Sequence, residues 1–371
     1  MDTIRDNLDK YNVLDRTKND IVGVTTYLRD KYVEPGLILF HTVVDNKVVV
    51  INSEGEKIIE FKSCPEPYQI YRPARPGTRA SILTILVSKH DKRKRVIAEI
   101  NQYGEIIWKT SHRWFTHDFH ILKNRHVLSV IRENRIINGV SFSDTVLVEL
   151  NVKGEVTWYW SLWDNVDKLS NGKNIFNNVF SKLTDNPFHI NSVQYVDDFR
   201  PDIFPEPVVV VSVRNINSIL FIGRNTGKVL MEVNNLTLGQ HHVRLLPSYY
   251  PGAGNIIVFD NGISFDPSIK EERKESRVIE YNLMNKRIVW KYTSPSFFSP
   301  IVGAQQRFSS GNTLITEGYY GRIFEVDYSG EVVWDYTFPE YNDLENHDKK
   351  LYEAGLRQIY RAYKVKSDWA E

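Results

Sequence analysis

A single cysteine, Cys64, stands in 371 residues. A lone thiol excludes an intrachain disulfide and the four-cysteine zinc cages. With no partner motif around it, it reads as an inert buried thiol. Excess charge is equally scarce, with 47 Lys and Arg against 46 Asp and Glu. That balance removes the basic footprint of a general nucleic-acid or membrane-surface binder. Long apolar runs are missing as well: Val208 to Val211 is strand-sized and far short of a membrane span. The opening MDTIRDNLDKYNVLDRTKND is charged throughout and does not read as a secretory signal. A cytoplasmic location is therefore expected, with residues 1–22 as a leader ahead of one domain over residues 23–371.

What the sequence does contain is a repeat. A strand, a tight turn and a second strand that often ends in Trp recur at 48–61, 96–108, 147–158, 220–232, 278–290 and 323–334. Gly55, Gly104, Gly154, Gly227 and Gly330 supply the turn conformation, with Asn285-Lys286 in the fifth copy. The flanking strands are β-branched and aromatic, with the alternation of half-buried strands. Taking Lys286 as the fifth turn, successive turns lie 49, 50, 73, 59 and 44 residues apart. That is near or above the roughly 40–50 residues of a four-stranded propeller blade. The expected fold is all-β, a six-bladed β-propeller with loop insertions in the later blades, at 170–187, 197–207 and 264–276. A β-sandwich is the alternative, although it has no need of six copies of one hairpin. The tail LRQIYRAYKVKSDW reads as a strand plus an anchor that closes the ring against Gly23 to Leu28.

Four segments set a proton-carrying or anion-binding side chain at the same place in the unit. His117, His189, His241 and Gln305 each open the strand before the hairpin, which should line the central channel. The next strand carries Arg132, Arg214, Asn261 and Glu317, expected near the same mouth. Histidines, arginines and amides together suit a phosphate or sulfate group. His241 and His242 point to opposite faces of a strand, so at most one reaches the channel. His117-Asp118 reads either as an oriented base or as an Asp holding a turn. Tyr249, Tyr250, Phe297, Phe298, Tyr319 and Tyr320 read equally as a stacking wall for an aromatic ligand or as packing between blades. A zinc ion on three histidines is the sharp alternative, and the arginines argue against it. No cofactor is expected.

These segments together resemble the aryl sulfotransferase family of nucleotide-independent six-bladed propellers. The resemblance rests on THD at 116–118, HIN at 189–191, SVR at 212–214, QHH at 240–242, FDNG at 259–262, SRVIEY at 276–281, QRFSSGNTLITEG from 306, and the closing IYRAYKV. It implies transfer of a sulfuryl group from an aryl sulfate donor to a phenolic acceptor. It assigns the transiently sulfated nucleophile to His241, and sulfuryl binding to His189, Asn191 and Arg214, with His117 in a further catalytic place. A nucleotide donor is disfavoured because no glycine-rich, lysine-bearing phosphate loop is present. The short leader and single cysteine expected here depart from many exported bacterial members, which carry a large N-terminal domain and a disulfide. The other reading is a non-catalytic propeller whose mouth binds an anion or a protein partner.

Overall fold

The computed structural model describes residues 22–370 apart from 29, 44–46, 62–71, 74–79, 89, 92, 138, 171–185, 199–200, 267–268, 270–271, 274 and 340–357. Cys64, most of the proposed leader and most of the 170–187 insertion lie outside the described residues.

Six antiparallel sheets form the blades of a β-propeller. The chain begins with β1 (Gly23–Tyr27) and then lays down β2 (Leu37–Thr42), β3 (Lys47–Ile51) and β4 (Lys57–Phe61) in the first blade. The second holds β5 (Arg72–Pro73), β6 (Ser81–Val87), β7 (Arg95–Asn101) and β8 (Ile106–Lys109). The third holds β9 (Phe115–Ile121), β10 (Val127–Ile137), β11 (Val140–Leu150) and β12 (Val156–Ser161). The fourth holds β13 (Ile190–Val196), β14 (Val208–Val213), β15 (Ser218–Gly223) and β16 (Val229–Asn234). The fifth holds β17 (His241–Leu245), β18 (Ile256–Asp260), β19 (Arg277–Asn282) and β20 (Arg287–Tyr292). The sixth holds β21 (Ala304–Arg307), β22 (Thr313–Glu317), β23 (Arg322–Val326) and β24 (Val332–Thr337), and the chain returns in β25 (Ile359–Val365). All six repeated hairpins are the outer two strands of a blade, and β9, β13, β17 and β21 are inner strands.

Ring closure differs from the expectation. β25 pairs with β2 and becomes the inner strand of the first blade, whereas β1 adds to β24 as a fifth, outer strand of the last. The burial patterns explain the exchange. IYRAYKV is buried along almost its whole length, which suits a strand between a blade and the channel. GVTTY is half-exposed, which suits an outer edge.

Two repeated devices hold neighbouring blades together. The first uses the tryptophans that end the hairpins. Trp160, Trp290 and Trp334 donate their indole N–H groups to the turn carbonyls of Gly227, Tyr328 and Ser53 in the next blade, at 3.0, 2.9 and 2.7 Å. In the third hairpin the donor is Trp160, while Trp158 lies under the Arg224 guanidinium.

The second device is a glutamate on the third strand, two residues before the turn Asn or Asp: Glu99, Glu149, Glu280 and Glu325. Three of them pair with a cation of the following blade, Arg224 on Glu149, Arg307 on Glu280 and Lys364 on Glu325. The Glu280 and Glu325 pairs are buried, so losing one partner there leaves a charge without compensation, and the Glu149 pair is partly buried.

Trp334 spans the junction where the ring closes. Trp334→Phe should lower stability by about 1–3 kcal/mol, because the Ser53 carbonyl loses its partner and packing volume is lost. Urea unfolding of the two proteins measures it, and an unchanged midpoint contradicts the latch.

Candidate active site

The inner strands are irregular at the ends that enter the channel mouth. In β9, His117 and Asp118 are extra residues relative to β10. In β13 the extra residue is Asn191, and β17 gains one residue between His241 and Arg244. Such bulges break the alternation of a strand and re-aim side chains. His117, His189 and His242 also have positive φ angles of 56°, 55° and 51°. A non-glycine residue held there costs on the order of 1–3 kcal/mol.

The result is a cluster. The rings of His117 and His189 lie 4.3 Å apart, centroid to centroid. Arg214 is close enough to depress the proton affinity of His117, His189 and His241, and His241 acts on the other two. Arg132 adds its charge against His117 and His189. Burial is the larger cause in every case: His117 and His189 are held well below the ordinary histidine value, and His241 is pushed down to about 3. The rings are therefore neutral at physiological pH. Burial also lowers the Arg214 guanidinium. Its Nε donates to Asn215 Oδ1 at 3.0 Å and its plane stacks on Phe265 at 3.9 Å. Among the described residues no carboxylate forms an ion pair with it, so the cation is available to an anion.

Two asparagines fix the proton positions. Asn261 gives its amide hydrogens to the carbonyls of Ser299 and Val302 at 2.8 and 2.7 Å, leaving Oδ1 to face His241 Nδ1 at 2.8 Å. His241 Nδ1 must then carry the hydrogen, and the Nε2 lone pair is free. Asn186 is set the opposite way. Its Oδ1 accepts the His189 backbone N–H, so its Nδ2 meets His189 Nδ1 at 2.9 Å. His189 consequently bears its hydrogen on Nε2. One ring thus has a lone pair at Nε2 and the other a hydrogen there.

Other singled-out residues have different places. Asn191 donates to the Gln240 carbonyl at 2.9 Å, and Gln240 donates to the carbonyls of Val213 and Ser218, so both brace the turn into His241. Asp118 accepts hydrogen bonds from Arg361, Arg244 and the Val193 N–H and is a weld across blades. Of the tandem pair only His241 joins the cluster. His242 is buried beside Gln305, whose Nε2 donates to the carbonyls of His242 and Ile257. Gln305 thus falls outside the cluster despite its register. Glu317 does too: it accepts the Phe298 N–H and pairs with Arg322, and burial raises it to about 7. Phe297 packs between Phe259, Tyr292 and Phe324. Tyr249 and Tyr250 follow the far end of β17 from His241 and cannot wall the cluster. Among the described residues no group of three or more His, Cys, Asp or Glu is arranged to hold a metal.

The lowered proton affinity of His241 has a stability consequence. Its ring stays neutral in the folded chain but is protonated in the unfolded chain below about pH 6.5, so the unfolded state binds more protons and stability falls with pH. Between pH 7.5 and 5 the wild type should lose about 2 kcal/mol more than His241→Gln. A pH-independent difference in urea unfolding contradicts the buried neutral ring.

Solved structures with a similar fold include a protein of unknown function from Bacteroides caccae, 16% identical over 88% of this chain and 98% of that one, with a TM-score of 0.49. A streptogramin B lyase is 13% identical over 86% and 84%, with a TM-score of 0.47. Virginiamycin B lyase from Staphylococcus aureus is 10% identical over 88% of each chain, with a TM-score of 0.45. No curated protein matches the chain. Among the described residues no helix is long and apolar enough to cross a membrane. The model of the arylsulfotransferase (ASST) family matches residues 86–339, from the second blade to the end of the sixth, and the chain belongs to that family.

Proposed function

We propose that the chain moves a sulfuryl group from an aryl sulfate to a phenolic acceptor through a sulfohistidine at His241 Nε2. The observation that carries this reading is the Asn261-oriented, neutral His241 ring beside an arginine that has no carboxylate partner among the described residues. In the first half-reaction the Nε2 lone pair forms an N–S bond as the S–O(aryl) bond breaks. The aryl oxide leaves with the bonding pair and takes a proton from solvent.

Arg214 and the His189 Nε2–H stabilise charge on the sulfuryl oxygens and the departing oxide. The sulfated ring keeps its Nδ1–H, becomes positively charged, and is steadied by Asn261 Oδ1. That charge makes it a good leaving group. In the second half-reaction an acceptor phenol attacks sulfur, its proton passes to solvent, and the N–S bond breaks to return neutral His241. His117, whose ring lies tilted against that of His189, completes the wall around the sulfuryl group.

Incubation with an aryl sulfate that releases a coloured phenol should give parallel double-reciprocal plots when a second phenol is varied. His241→Ala should abolish release. Asn261→Ala should slow it by about 100-fold, because the ring loses the partner that fixes its tautomer. No release by the wild type across several aryl sulfates, or undiminished release by His241→Ala, contradicts the reading.

A further inference from the structure

The strand that closes the ring also reaches into the candidate site. Arg361, at the middle of β25, is almost completely buried. Its NH1 lies 3.1 Å from Asp118 Oδ1, and its NH2 donates to the Asn191 carbonyl at 3.1 Å. The neighbouring Tyr360 hydroxyl donates to the His117 carbonyl at 3.4 Å. Asn191 is the bulged residue of β13, and His117 is a left-handed residue of the β9 bulge. Regular strand pairing holds neither place, and β25 grips the carbonyl of each.

We propose that Arg361 is a positioning residue of the site, holding the Asn191 bulge directly and the His117 bulge through Asp118, so that the site is complete only when the C-terminal strand closes the ring. The proposal deepens the sulfuryl-transfer reading and rests on it for its consequence on rate. A planar guanidinium can meet the Asp118 carboxylate and the Asn191 carbonyl at once, whereas an ammonium offers one compact charge.

The same charge acts on the histidines. Facing His241 are Arg214 from the end of β14, Arg361 from β25, the neutral rings of His117 and His189, and the neutral amide of Asn261. Facing His117 are Arg132 from β10, Arg214, His189, His241 and Arg361. Asp118, balanced by Arg361 and Arg244, lies next in sequence to His117. Removing the Arg361 charge takes a cation from beside both rings and leaves Asp118 less balanced. Each change favours protonation of the rings.

The test compares Arg361→Lys and Arg361→Gln with the wild type, following aryl sulfate turnover against pH and histidine ring resonances by NMR. Lysine keeps the charge and loses the fork, so the rate per folded molecule should fall about tenfold with the His241 titration unmoved. Glutamine loses both, so the rate should fall at least as far and the His241 midpoint should rise by about one pH unit. Should Arg361→Gln fail to fold, the double variant Arg361→Gln with Asp118→Asn removes the whole ion pair and is read by its rate alone, which should fall as in the single variant. Wild-type rates with an unmoved His241 midpoint in the glutamine variant, or wild-type rates in the double, overturn the proposal. Absence of turnover in the wild type overturns the sulfuryl-transfer reading instead, and the NMR midpoint still decides whether Arg361 acts on the ring.

Discussion

Closure of the ring by β25 is the constraint on which the rest depends. A propeller blade leaves an open inner edge facing the channel, and in the first blade that edge is covered by a strand from the far end of the chain. β25 is buried on both sides, pairs with β2, and contributes Lys364 to the Glu325 ion pair with the sixth blade. Its Tyr360 and Arg361 meet carbonyls of the third and fourth blades. One strand thus joins the first blade to the sixth and supports the mouth where the histidines gather.

The mouth sustains an arrangement that would be unstable elsewhere. Three neutral imidazoles and the Arg214 cation share a buried space. Positive φ angles at His117 and His189 add strain to two of the same residues. Such costs persist only where surrounding structure over-determines them. Here the surroundings are the Gln240 and Asn191 hydrogen bonds, the Asp118 weld and the two asparagines that face the rings. Among the described residues no carboxylate pairs with Arg214, and the opposed tautomers of His241 and His189 leave a lone pair on one Nε2 and a hydrogen on the other.

Much of the architecture was legible in the sequence because hairpins recur with a fixed turn chemistry. Glycine at the turn and apolar alternation around it identify the outer half of each blade. The inner strands were harder. β5 is two residues long, and β25 is remote from the blade it completes, so neither belongs to a local repeat. The clustering of His117, His189 and Arg214 could be anticipated from register, but register alone placed Gln305 and Glu317 beside them. Bulges, which shift a strand by a residue, separate those two cases.

Asn186 and Arg361 went unnoticed for different reasons. Asn186 precedes its histidine by three residues in an irregular turn, with no pattern to mark it. Arg361 acts across the channel from the opposite end of the chain. A visible signal lies in the glutamates two residues before four of the six turns. Their spacing is regular, and a charged residue repeated in an apolar strand needs a partner.

The central claim is that His241 Nε2 carries the sulfuryl group between donor and acceptor. Exposure of the wild type to an aryl sulfate labelled with radiosulfur, followed by rapid denaturation and peptide mapping, tests it most directly. Label on the peptide containing His241, discharged from the native protein by an unlabelled phenol, is the predicted result. Label on another residue, or phenol release with no labelled protein at any time, would contradict a covalent role for His241.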